Sequence, residues 1–217
     1  MMTGRLRATS LIDALVLELR AQILDGRIAG GTALTETEIA GQYDVARPTA
    51  KAAIERLTGE GLLRRGAHKS ARVPVFDAED IADLYFARTC LERQAMRELA
   101  QRQRVPAAAL TAQAEIRELA EGEDSSVAAV EPDVHFHQSL VDALESPRLS
   151  RAHASIMGEM RLCMAQVQTY KLLRIAEIAN EHDAILAAIT DGDPERADRE
   201  LAFHLTRASE QLRTRTG

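Results

Sequence analysis

The chain has no tryptophan, and aromatic residues make up only 3% of its 217 residues. Sheets lean on aromatic and β-branched side chains, so this scarcity argues against a β-rich architecture and in favour of helices. Cysteine occurs twice, at Cys90 and Cys163. That is too few for a disulfide framework, and the spacing fits no CxxC metal or redox motif, so both are read as buried thiols inside helices. No apolar run approaches the ~18 residues that cross a bilayer. The polar start through Ser10 has no apolar stretch behind it of the kind a secretory leader needs. A soluble, cytoplasmic protein without a membrane partner is expected.

What is present is helix-forming material: 46% hydrophobic and 28% charged residues, in a length that allows one large core or two modest ones. The net charge of −6 hides an asymmetry, because residues 1 to 75 carry +3 and the remainder −9. Lys51, Arg56, Arg64, Arg65 and Lys69 fall in one short stretch, enough for a local phosphate-facing patch on an acidic chain.

Punctuation divides the first third. Ser10 precedes a helical stripe of Leu11, Leu15, Leu19 and Ile23, which ends at Asp25-Gly26. Gly30-Gly31 makes a turn, and Thr35-Glu36-Thr37-Glu38 has the spacing of a capping box that opens a second, short helix burying Ile39 and Ala40. After a tight turn at Asp44-Val45-Ala46, Pro48 sits in the first turn of a third helix with Ile54 and Leu57 inward. Two short apolar-basic segments, Leu62 to Arg65 and Ala71 to Val75, read as the strands of a hairpin. Helix, helix, tight turn, helix, basic hairpin is a winged helix-turn-helix, which places the third helix in the major groove and the hairpin along the backbone.

The stretch from Ile23 to Val73 resembles the DNA-binding domain of the GntR family of regulators, on the strength of ILDGRI, Leu34/Glu36/Ile39-Ala40, Val45-x-Arg47, Ala53-Ile54-x-x-Leu57 and Gly61-Leu62-Leu63. The resemblance implies operator contacts at Arg47, Thr49 and Lys51. Arg64, Arg65, His68 and Lys69 on the wing join them as candidates, because phosphate neutralisation needs several cations on one surface. Ala46 and Lys51 depart from the family pattern: the first removes a capping hydroxyl, the second replaces a guanidinium fork by a point charge.

From Asp77 onward the 3.6 period runs through six helices separated at Pro106, Gly122, Pro132, Pro147, Gln168 to Lys171 and Gly192-Asp193-Pro194. Inward stripes at Ile81, Leu84, Leu91, Leu99, Leu140, Leu144, Ile178, Ile185, Leu186 and Ile189 make a bundle. The fold class is mostly α, with a winged domain over 1–75 and an all-helical domain over 76–217. Asp133 and His137 lie four apart on one helix and share a face, while His182 and His204 lie on two later helices. Three imidazoles and a carboxylate suit a divalent metal, zinc first, with nickel, manganese or iron as alternatives. His68, His135 and His153 are read as surface or hydrogen-bonded residues rather than ligands.

Residues 81 to 204 resemble the FCD domain, the helical effector module of the FadR-type branch of that family. The motifs are Arg88-x-x-Leu91-Glu92-x-x-Ala95, Asp133-x-x-Phe136-His137-x-x-Leu140, Glu181-His182-x-x-Ile185-x-x-Ala188-Ile189-x-x-Gly192-Asp193 and a terminal His204. The resemblance implies Asp133, His137, His182 and His204 as metal ligands and a small organic acid as effector. It also implies that Arg88 points inward to pair with the effector carboxylate, against an ordinary ion pair with Glu92 one turn on. Arg161 and Arg174 carry no motif that selects them. The expected protein is a homodimeric regulator, a repressor, bound to a pseudo-palindromic operator. The alternatives are a regulator for which the ion itself is the signal, a purely structural metal, and a metal-dependent hydrolase. The hydrolase lacks a motif-placed general base and leaves the winged domain unexplained.

Overall fold

The computed structural model describes residues 10–65, 70–122, 128–167 and 174–214. The chain divides into two compact units, the first ending at Pro74 and the second beginning at Val75.

In the first unit, α1 (Leu11–Leu24), α2 (Glu36–Gln42) and α3 (Arg47–Gly59) pack with α3 against both others. Ser10 and Asp13 form a reciprocal capping box at the start of α1, and Thr35 and Glu38 form one at α2. Each satisfies two of the orphan donors that a helix start leaves. Asp44 turns the chain between α2 and α3 with φ 49°, a left-handed conformation that an Asp side chain tolerates. Ala46 supplies no side-chain cap to α3. Leu15, Leu19, Ile39, Ile54, Leu57, Leu62 and Leu63 are buried in the shared core. Val16 is buried as well, whereas Leu11 is 60% exposed, so the stripe on α1 begins one turn later than its apolar pattern predicts. Ala40 is only half-buried.

The hairpin strands are β2 (Arg64–Arg65) and β3 (Ala71–Arg72), shorter than the sequence predicts, and they belong to a three-stranded sheet. The additional strand β1 (Ala33–Leu34) pairs antiparallel with β3, giving the order β1-β3-β2. Two residues are too few to show an alternating pattern, so β1 is visible only through its pairing partner. Gly31, with φ 80°, aims its N–H at the Val73 carbonyl and starts that pairing.

The second unit contains α4 (Ala78–Gln101), α5 (Ala107–Glu121), α6 (Val130–Asp142), α7 (Pro147–Val167), α8 (Ile175–Asp191) and α9 (Pro194–Arg213). The long α4 packs against α6, α7, α8 and α9, so its inward face lines the centre of the bundle. That face runs Ile81, Leu84, Tyr85, Arg88, Glu92, Ala95, Met96 and Leu99, all buried. Leu91 and Leu144, expected inside, are half-buried. Cys163 is buried but Cys90 is exposed, which corrects the expectation of two interior thiols. Arg88 and Glu92 fix the phase of α4, and Cys90 falls between them on the outer side. Gly192, with φ 73°, closes α8 and lets Asp193 cap α9 through the Arg196 N–H. This turn brings α8 and α9 together in antiparallel register, and with them His182 and His204.

Candidate metal centre and DNA-binding surface

Asp133 and His137 project from one face of α6, His182 from α8 and His204 from α9. All four are buried, and one ligand-type atom from each lies within 4.8 Å of the others. His137 Nε2 and His204 Nε2 are 3.2 Å apart. Asp133 Oδ1 is 3.5 Å from His182 Nε2 and 3.9 Å from His137 Nε2. Phe136, adjacent to His137 on α6, stacks on the His182 ring with centroids 3.8 Å apart and planes 4° from parallel, which fixes that imidazole's plane.

The outer nitrogens of two rings are held by carboxylates. His137 Nδ1 is 2.6 Å from Glu92 Oε2, and His204 Nδ1 is 2.8 Å from Glu181 Oε2. A carboxylate can only accept, so each ring donates from Nδ1 and turns a lone pair inward at Nε2. Burial would push the Glu92 carboxyl up, but Arg88, then His137, outweigh it and hold it well below the usual range. Burial also pushes His137 down and His182 far down, the latter helped by the neighbouring His204 and His137. Burial thus favours the neutral form of His137 and His182, the form that coordinates a metal.

Whether these residues fit a metal can be judged from the polar atoms they leave unpaired. Neither nitrogen of the buried His182 has a hydrogen-bond partner among the described residues. With both Nδ1 atoms donating to carboxylates, two neutral rings would meet lone pair to lone pair at Nε2 of His137 and Nε2 of His204. A buried imidazole without a partner is costly, and two facing lone pairs repel. A cation among the four inner donors removes both penalties, and three neutral imidazoles with one carboxylate are a donor set for a borderline divalent ion. The residues fit.

Arg88 is 1% exposed and its Nε donates to Glu92 Oε1 at 2.8 Å, so the intrahelical ion pair is present. Its Nη2 has no hydrogen-bond partner among the described residues. Arg161 is occupied instead by a bidentate pair with Glu131, at 2.5 and 2.9 Å, and Arg174 is exposed near Glu177. Neither is brought to the cluster. His135 is exposed, whereas His153 is buried and bridges Glu92 Oε1 at 3.0 Å and Gln138 Oε1 at 3.1 Å, the hydrogen-bonded core histidine of the expectation. Sequence reasoning did not single out Glu92, Glu181 or Tyr85 as site residues. Glu92 was legible only as the i+4 partner of Arg88.

In the first unit Arg47 opens α3, exposed, with Nη2 donating to Thr37 Oγ1 of α2 at 3.0 Å. Thr49 is half-buried, and Lys51, Arg64 and Arg65 are exposed. Lys51 and Arg65 both approach Glu55, at 3.9 and 3.2 Å. Exposed pairs of this kind contribute little and open readily to a phosphate. His68 and Lys69 lie outside the described residues. Arg72 on β3 is a further exposed cation, steadied by a hydrogen bond from Nη1 to the Gly31 carbonyl.

Residues 11–73 match the family model for bacterial regulatory proteins of the gntR family, and residues 83–207 match the FCD domain. The chain belongs to the GntR family, in its FCD-domain branch. A relative named "Probable D-xylose utilization operon transcriptional repressor", from Paenarthrobacter nicotinovorans, is 30% identical over 199 residues, 91% of this chain and 85% of that one. The HTH-type transcriptional repressor NanR of Klebsiella aerogenes is 27% identical over 88% of this chain and 81% of its own. Among solved structures, a GntR transcriptional regulator from Rhodococcus sp. RHA1 is similar with a TM-score of 0.75 and 25% identity, covering 93% of this chain and 96% of that one. Escherichia coli McbR/YncC shares the fold at a TM-score of 0.65 and 19% identity, over 97% of this chain and 100% of its own. As a family member the protein is a DNA-binding transcriptional regulator, and the hydrolase alternative falls. Among the described residues no helix is long and apolar enough to cross a membrane.

Proposed function

We propose that this regulator is a homodimeric repressor whose C-terminal unit holds a divalent metal, zinc first, at Asp133, His137, His182 and His204, and that a small organic acid bound there controls operator affinity. The observation that carries this reading is the buried four-donor cluster with its unpaired His182 nitrogens, beside the unpaired Nη2 of Arg88. When bound, the ion supplies a positive charge and open coordination positions for a carboxylate oxygen. The chain's own residues do the rest. Glu92 and Glu181 hold the His137 and His204 rings in one tautomer, Phe136 fixes His182, and Arg88 keeps a guanidinium nitrogen free for the acid. The unpaired Nη2 favours an organic effector over the ion alone as signal, because an ion leaves that buried donor unmet.

On the DNA side, Arg47, Thr49 and Lys51 at the start of α3 would enter the major groove. Arg64, Arg65, His68 and Lys69 would follow the backbone, and a second copy would read the other half-site. An acid that binds one arrangement of the helices better than another shifts DNA affinity by that difference and no more. The test is operator affinity of the metal-loaded and the chelator-stripped protein across a panel of small organic acids. A response that requires metal and acid together supports the reading. A response to metal alone supports the ion as signal, and no response to either removes the sensor role.

A further inference from the structure

Phenylalanine is scarce in this chain, four in all, yet Phe86 and Phe203 stand 68% and 60% exposed. They lie on α4 and α9, which pack against each other. A single exposed apolar side chain is ordinary, but large aromatic rings on two adjacent helices mark a surface that another surface covers. The two helices run antiparallel. Arg93 and Arg97, late in α4, both reach Asp198, early in α9, and Gln103, just past the end of α4, donates to the Thr190 carbonyl shortly before α9 begins. Both helices rise equally per residue, so counting back from that bridge sets Cys90 level with Phe203, Phe86 a turn beyond, and Asp83 level with Glu210. Arg199 lies beside the bridge itself.

This outer face is also ordered by charge. Asp83 and Glu210 at one end and Arg199 at the other are exposed and form no ion pair among the described residues. The end that holds Arg199 also carries Arg93 and Arg97 against Asp198 and Glu195, an excess of one guanidinium. An acidic end, an aromatic middle and a basic end make a self-complementary surface. A two-fold axis lying in this face and crossing α9 near Phe203 turns the acidic end of one copy onto the basic end of the other. Arg199 then meets Glu210 of the partner subunit, and the rings meet near the centre. An isologous contact requires this ordering, because one patch must satisfy itself. Aromatic anchors at the centre and charges at the rim are also how stable interfaces distribute their residues.

We propose that the outer face of α4 and α9 is the contact between two copies of this chain, centred on Phe86 and Phe203 and closed at its ends by reciprocal pairs of Arg199 with Glu210 of the partner subunit. This rests on the homodimeric reading above and gives that dimer its surface. Cys90, one turn from Phe86, falls under the partner, so its thiol reports association.

The test is sedimentation velocity of the full chain over a concentration series. Wild type dimerises. Phe86→Ser combined with Phe203→Ser weakens association at least about thirtyfold, the effect of losing one anchor or more. Helicity is unchanged, because both rings are exposed in the single chain. Arg199→Glu and Glu210→Arg each weaken association about tenfold by setting like charges together, and the two combined restore it to within about threefold of wild type. Alkylation of Cys90 by iodoacetamide slows as wild type is concentrated, and does not slow in the double serine variant. A serine variant that dimerises as tightly as wild type, or a charge swap no tighter than its single reversals, overturns the proposed face while leaving a dimer built through another surface. If the serine variant loses helicity, the charge series decides alone. A wild type that stays monomeric throughout the series removes the homodimeric reading as well.

Discussion

Nε2 of His137 and Nε2 of His204 face each other at 3.2 Å, and each ring is held in that orientation by a carboxylate on its opposite nitrogen, Glu92 for one and Glu181 for the other. Two carboxylates that force two lone pairs together make sense if something positive belongs between them. The arrangement ties α4, α6, α8 and α9 through one point.

Glu92 serves three partners, accepting from Arg88 Nε at 2.8 Å and lying 2.6 Å from His137 and 3.0 Å from His153. Glu92→Gln leaves a buried guanidinium without its counter-charge, a change that costs about 3 to 5 kcal/mol. It also loosens a metal ligand, for which the usual loss of affinity is about 10- to 100-fold. Urea unfolding and competitive metal titration measure the two effects separately. The double variant Arg88→Met with Glu92→Gln recovers much of the stability and none of the metal affinity.

Asp198 on α9 is bridged by Arg93 at 2.5 Å and Arg97 at 2.8 Å, both on α4. Hydrogen bonding from Arg93, then from Arg97, holds its carboxyl well below the usual range against the opposing effect of burial. A depressed carboxyl stabilises the fold above its unfolded pKa of about 3.9 and loses that contribution as pH falls below it. Both guanidiniums are substantially exposed, so the contribution is modest. Asp198→Asn lowers the melting temperature by about 2 to 4 °C at pH 7. The gap narrows at pH 3, and thermal scans at the two pH values read it out.

The cysteines differ sharply. Cys90 is exposed, while burial pushes the Cys163 thiol up to about 12. Iodoacetamide at pH 8 modifies one thiol of the native chain, at Cys90, and the second only after unfolding; intact-mass and peptide analysis give the count and the site.

On DNA, Arg47→Ala weakens operator binding by about 1 to 3 kcal/mol and relaxes base preference. Arg65→Ala, at an exposed hairpin cation assigned to the backbone, weakens all sequences alike and reduces the slope of log affinity against log salt by about 1. Fluorescence anisotropy on operator and scrambled duplexes at several salt concentrations distinguishes the two.

The winged order of elements was legible because caps and turns mark it: Ser10, Thr35 and Pro48 open helices, and Gly31 turns the chain. The cluster was legible in part from the i, i+4 spacing of Asp133 and His137. Their convergence with His182 and His204 depends on which helices pack together, which no local pattern states. At Cys90 and Leu91 apolarity does not give the phase of α4, because the inward positions there belong to Arg88 and Glu92. Tyr85 escaped notice for a related reason: an aromatic on an apolar stripe reads as core until its hydroxyl is seen to lack a partner. β1 escaped because two residues carry no period of their own.

The most direct test of the metal-anchored account is the metal content of the chain purified without chelator, wild type beside His182→Ala. The account predicts about one divalent ion per wild-type chain, with a melting temperature that drops on chelation. It predicts none in His182→Ala, which still folds its N-terminal unit and binds operator but no longer answers to acids. A wild type that carries no metal and gains no thermal stability from any first-row divalent ion, or a His182→Ala protein with full occupancy, contradicts it.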